Sequence, residues 1–132
     1  MNDNKLTEQV IGLAMKVHRA LGAGFVEFVY RNALLIELKR SGLAVEVEKP
    51  VKVRYDGAIV GEFSVDLLIE GWLIVELKAV RALTEEHEVQ TVNYLTAMEK
   101  DFGLLLNFGG KSLQFKRKFR RAKNEPPPDL LA

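Results

Sequence analysis

The sequence predicts an α/β (α+β) sandwich with elements in the order ααββββαββ, and three observations carry that expectation. Apolar residues recur at three- and four-residue spacing over the first forty positions, the period falls to two from residue 44, and one more helical stretch precedes a last pair of apolar strands. The 132 residues suit a single core, and 48% hydrophobic with 28% charged residues excludes disordered and fibrous classes.

Leu6, Val10, Leu13, Ala14, Val17 and Leu21 form one stripe of a helix predicted from Thr7 to Leu21, with Thr7 as N-cap and Glu8 near the positive end of the helix. Gly22 and Gly24 break it. A second helix follows from Phe25 to Arg40, with Val26, Val29, Tyr30, Ala33, Leu34 and Leu38 facing inward and Gly42 as its stop. The two make a helical hairpin.

Val45 and Val47 then alternate with Glu46 and Glu48, and Val51, Val53 and Tyr55 alternate with Lys52 and Arg54 up to an Asp56-Gly57 turn. Ile59 to Ile69 and Trp72 to Val80 read as a hairpin about Glu70-Gly71. A third helix fits Glu85 to Lys100. A strand from Phe102 to Phe108 follows, then the Gly109-Gly110 turn and a final strand alternating Leu113, Phe115 and Phe119 with Gln114, Lys116, Lys118 and Arg120. Residues 1–123 are read as one domain and 124–132 as an extended tail around Pro126 to Pro128.

The composition narrows the chemistry. The absence of cysteine excludes disulfides, thiolate zinc and a cysteine nucleophile, and His18 and His87 are too few for an imidazole-rich metal site, so any metal is held mainly by oxygen. No window approaches the roughly 18 uncharged apolar residues of a membrane helix. The polar start MNDNKLTEQ lacks the build of a signal peptide, so the expectation is a cytoplasmic protein without a membrane partner. Net charge is −4 over residues 1–110, +7 over 111–123 and −2 over 124–132. The basic stretch, with Lys116, Lys118, Arg120 and Arg121, carries two readings: it binds nucleic-acid phosphates, or it guards an edge strand against aggregation.

The chemistry concentrates in Ser64 to Ala79, where Asp66, Glu76 and Lys78 interrupt two apolar strands. Glu76 and Lys78, two apart, project from one face, and the turn at Gly71 folds Asp66 back beside them. Two carboxylates so close are either neutralised by Lys78 or await a divalent cation, and an all-oxygen site suits Mg²⁺ or Mn²⁺. The plainer alternative is a polar stripe on a half-exposed strand.

Asp66, nine intervening residues and then Glu76-Leu77-Lys78 on consecutive strands resemble the PD-(D/E)xK nuclease signature, with Val65 in place of the usual proline. Gly24-Phe-Val-Glu27-Phe-Val-Tyr30 matches the motif of the bacterial GxxExxY family of that superfamily. The segments Val17 to Gly22, Val75 to Ala79, His87 to Leu95 and Leu105 to Gly109 are similar to it as well. The resemblance implies a restriction-endonuclease-like core, a central mixed sheet flanked by helices, and hydrolysis of nucleic-acid phosphodiesters. It further implies that Asp66 and Glu76 ligate Mg²⁺ or Mn²⁺, that Glu27 completes the metal pocket, that Lys78 activates water and steadies phosphate charge, and that Gln90 assists. The alternative function is a binding module for nucleic acid or protein that keeps the fold without catalysis.

Tyr30 either packs in the core or hydrogen-bonds Glu27. Gln90 and Tyr94, four apart, look toward the pocket or toward solvent, and His18 has a structural or a catalytic reading. Asn107 reads as a cap in its turn and His87 as exposed. Apolar Phe25, Phe28 and Trp72 suggest a homodimer, as many nucleases of this superfamily act in pairs.

Overall fold

Leu6, Val10, Ala14 and Val17 fall on one side of a helical turn pattern, and in the computed structural model, which describes residues 3–120, they are buried on α1 (Asp3–Leu21). The helix starts before the predicted Thr7, which is buried within it and is not its cap. Tyr30, Leu34 and Leu38 supply the matching stripe of α2 (Glu27–Arg40). The strands are β1 (Val45–Tyr55), β2 (Ala58–Ile69), β3 (Leu73–Lys78), β4 (Phe102–Asn107) and β5 (Gln114–Phe119), with α3 (Glu85–Met98) between β3 and β4.

The five strands form one sheet in the order β1-β2-β3-β4-β5. Only β3 and β4 run parallel, because α3 carries the chain back across the sheet between them. The mixed sheet and its flanking helices are the predicted α/β architecture. One detail differs: the two strands expected at 45–48 and 51–55 are the single strand β1, so three strands, not four, separate α2 from α3. The interruption that suggests two strands is real but local. Glu48 takes a left-handed φ of 52°, and Pro50 is tolerated because β1 lies at the sheet edge.

The helices sort onto opposite faces. Leu67, Ile69, Leu73, Val75, Leu77, Leu104 and Leu106 pack beneath α1 and α2, whereas Val51, Val65, Leu68 and Ile74 pack beneath Tyr94 and Leu95 of α3. Alternation along β3 therefore buries Val75 and Leu77 under the helical hairpin and leaves Glu76 and Lys78 to the other face. At the strand ends, buried Asn107 accepts the Val80 and Gly109 amides and donates to the Val80 carbonyl and Gln114 Oε1. Gly109 lies so near Val80 that a Cβ there would overlap the Val80 backbone. Among the described residues no helix is long and apolar enough to cross a membrane. The expected domain limit near Lys123 and the tail at 124–132 lie outside the described residues.

Candidate active site

The β2–β3 backbone ladder ends at the Leu67–Val75 pair, and beyond it two carboxylates replace the missing amide partners. The Asp66 N–H donates to Glu76 Oε1 at 2.8 Å, and the Leu77 N–H donates to Asp66 Oδ2 at 2.7 Å. Each acid thus bridges to the opposite strand, and the turn at Gly71 brings them together as the sequence pattern expects. β3 stays registered on β4 at this point, with Glu76 opposite Leu105.

Glu76 is only 6% exposed. Burial pushes its carboxyl up to about 8, the Asp66 charge adds to the push, and the Asp66 N–H and the Lys78 ammonium offset part of it. Burial also raises Asp66, against the Leu77 N–H, Lys78 and Arg31, which favour its anion. At neutral pH Glu76 therefore holds a proton while Asp66 faces the cleft. Lys78 acts on both acids through its field and makes no ion pair within 4 Å among the described residues.

Asp66 opens into a cleft of about 720 Å³ walled by Glu27, Arg31, Glu48, Leu77 and the Gly24–Phe28 loop and helix start. Glu27 is exposed at the first position of α2, and its charge reaches Glu76. Two residues here escaped the sequence reading. Arg31 Nη1 pairs with Glu48 Oε1 at 2.9 Å, and both act on Asp66, Arg31 favouring its anion and Glu48 opposing it. Arg31 was findable, since it follows Glu27 by four residues and so shares its helix side. Glu48 was not: its place opposite Asp66 comes from the β1–β2 register and a backbone kink.

Whether these groups suit a divalent cation can be judged from their donors. Asp66 and Glu76 each commit one oxygen to an amide, and among the described residues the other oxygen of each accepts no protein hydrogen bond. Two hard oxygen donors with a raised proton affinity fit Mg²⁺ or Mn²⁺ with the remaining positions filled by water. No cluster of three or more His, Asp or Glu side chains able to hold a metal forms among the described residues, so Glu27 does not join the two strand acids as a third close ligand.

The remaining candidates are dispersed. Gln90 is exposed on α3 and lines a separate cleft with Phe63 and Tyr94, while Tyr94 is raised by burial and by the charges of Glu76 and Asp66. Tyr30 is fully buried, stacked on Phe108 at 4.6 Å; its hydroxyl donates to the Gly22 carbonyl and accepts from the Phe25 N–H, not from or to Glu27. His18 is buried, with Nε2 2.9 Å from the Gly110 carbonyl. His87, read as exposed, is partly buried and completes a reciprocal cap with Thr84. On β5, Lys118 pairs with Glu88 at 3.0 Å and Lys116 is exposed, and just beyond the strand Arg120 pairs with Asp101 at 2.7 Å. Arg121 lies outside the described residues. Phe25 and Phe28 are exposed, but Trp72 packs edge-on against Phe102 and offers little to a partner.

A family profile described as the PD-(D/E)XK nuclease superfamily matches residues 4–122. No curated protein sequence matches the chain. Among solved structures, the crystal structure of SSO0001 is similar with a TM-score of 0.55 and 17% identity, covering 74% of this chain and 52% of that one. The alkaline exonuclease LHK-Exo from Laribacter hongkongensis is similar with a TM-score of 0.50 and 11% identity, covering 66% of this chain and 52% of that one. The chain thus spans about half the length of each, and at these identities the likeness is one of fold.

Proposed function

The chain belongs to the PD-(D/E)XK nuclease superfamily, and from that membership we propose that it is a divalent-metal-dependent hydrolase of nucleic-acid phosphodiesters, of the GxxExxY kind. The observation that carries the reading is the reciprocal bridge between Asp66 and Glu76, two raised carboxylates of which Asp66 opens onto the cleft walled by Glu27 and Arg31. An exposed polar stripe would not bury Glu76 or tune its proton this far.

Asp66 and Glu76 would hold Mg²⁺ or Mn²⁺, which when bound supplies Lewis acidity and positive charge at the phosphate. To serve as a ligand Glu76 would have to be ionised, so a proton and the cation would compete for its oxygens. Lys78 carries its charge beside both acids, where it orients the attacking water and offsets charge building on the phosphate. Arg31 favours the Asp66 anion against the burial that raises this carboxyl, and Glu48 opposes it. Glu27 stands at the cleft mouth and Gln90 beyond Tyr94, both as substrate-side polar groups. Lys116, Lys118, Arg120 and Arg121 would hold the phosphate backbone. The same reading includes one domain over 1–123 with a tail, a bacterial cytoplasmic setting and a homodimer through Phe25 and Phe28.

The test pairs Mg²⁺- or Mn²⁺-dependent cleavage of DNA and RNA panels with Mn²⁺ calorimetry, on the wild type and an Asp66→Asn, Glu76→Gln double variant. Cleavage and Mn²⁺ binding by the wild type alone are expected; equal cleavage by both proteins would defeat the reading. A second reading is favoured by the missing third close ligand: a non-catalytic nucleic-acid- or protein-binding module. Salt-sensitive nucleic-acid binding with no heat of Mn²⁺ binding at millimolar metal would select it.

A further inference from the structure

A second cleft, of about 860 Å³, opens on the α3 side of the sheet. Phe63 of β2 and Tyr94 of α3 form its aromatic floor, with ring centres 5.7 Å apart and planes inclined at 41°. Phe63 remains 50% exposed. Its ring lies over Gly61, where a Cβ would come within 3.2 Å of the ring edge, so the bare glycine leaves room for this flat placement. Phe63 stands three residues before Asp66 on β2, which sets the cleft beside the strand acids, and the Tyr94 hydroxyl lies within their field.

The walls of this cleft differ in charge. Lys52 and Arg54 line the β1 side, exposed and with no ion pair among the described residues; Glu86 and Glu99 line the α3 side with Gln90 and Asn93. A polyanionic backbone is drawn to the first wall and repelled by the second. That leaves the neutral ring between them for an apolar, planar group, with two amides facing its polar edge. A phosphate chain with a flat, edge-polar substituent is a nucleotide. Duplex bases are already stacked on each other and offer this site only phosphates, whereas an unpaired base has a free π-face.

We propose that the Phe63 cleft is a subsite for an unpaired nucleotide flanking the scissile phosphate, its base stacked on Phe63 and its backbone along Lys52 and Arg54, and that the substrate is therefore single-stranded nucleic acid. The proposal rests on the nuclease reading for the identity of the neighbouring site.

The experiment is fluorescence anisotropy of the full chain with fluorescein-labelled dT₁₂ and with the dT₁₂·dA₁₂ duplex, in EDTA so that nothing is cut. Stacking on one aromatic side chain predicts a five- to 150-fold loss of dT₁₂ affinity in Phe63→Ala. Phe63→Trp should stay within threefold of the wild type, and duplex binding should not change. Phe63→Leu keeps the apolar bulk and removes the π-face, so it should behave like Phe63→Ala. Circular dichroism confirms that each variant is folded. Folded Phe63→Ala or Phe63→Leu binding dT₁₂ like the wild type, or a wild type that prefers the duplex, overturns the proposal. A wild type that binds dT₁₂ through Phe63 yet cuts neither DNA nor RNA once Mg²⁺ or Mn²⁺ replaces the EDTA supports the subsite and defeats the nuclease reading. One that cuts duplex DNA while ignoring Phe63 does the reverse.

Discussion

Replacing Glu76 by glutamine should make the protein more stable, and increasingly so as the pH rises. In the folded chain this carboxyl keeps its proton to about pH 8, whereas the ordinary value is 4.5. Between those values the folded state binds more protons than the unfolded one, so stability falls with rising pH. The loss begins above about 4.5 and is complete above about 8. At roughly 1.4 kcal/mol per pH unit, the shift amounts to at most about 5 kcal/mol. Glutamine has the same shape, never ionises, and offers its amide oxygen to the Asp66 N–H in place of Oε1. Urea unfolding of both proteins at pH 5, 7 and 9 should give nearly equal stabilities at pH 5 and a gap of several kcal/mol at pH 9. Asp66 is also raised by burial and depresses stability in the same direction, but it is present in both proteins. A wild-type-to-Gln difference constant within about 1 kcal/mol from pH 5 to 9 would refute the burial argument.

Three further outcomes follow from the same geometry. Asp66→Asn keeps an acceptor for the Leu77 N–H but loses the anion, so metal-dependent cleavage should fall by on the order of a hundredfold or more while the melting temperature changes little; both are read by single-turnover kinetics and calorimetry. Tyr30→Phe leaves the Gly22 carbonyl and Phe25 N–H without their shared partner, a destabilisation of about 1–3 kcal/mol in urea unfolding. Gly109→Ala forces the Val80 backbone aside at the β3–β4 ends and should cost about 3 kcal/mol, seen as a lower urea midpoint with an unchanged slope.

Periodicity made the helical hairpin and both β-turns legible, because Asp56-Gly57 and Glu70-Gly71 take the left-handed conformations that such pairs favour. It failed at β1, where the turned backbone of Glu48 and Pro50 beside it imitate a strand break that the edge position tolerates. Asp66 and Glu76 were visible because charge is rare within strands so apolar, and the structure brings them together. The partners of Glu48 and Lys118 were not, since each is set by a chain segment distant in sequence, and those of Tyr30 are backbone groups of the Gly22–Phe25 loop that no side-chain pattern marks. Lys118 reads as a free cation until β5 lies beside α3 and Glu88. The basic stretch is accordingly weaker as a phosphate surface than its raw charge implies.

Because the paired acids also stand in for the hydrogen bonds that β2 and β3 fail to make with each other, chemistry and architecture share the same two side chains. A lineage that abandoned cleavage could drift to asparagine and glutamine at positions 66 and 76 and keep its sheet closed. Drift to aliphatic residues would strand two amides and pry the hairpin open. Inert descendants of this scaffold should therefore wear carboxamides where their ancestors wore acids, a fossil of lost activity written in the stitching of the strands.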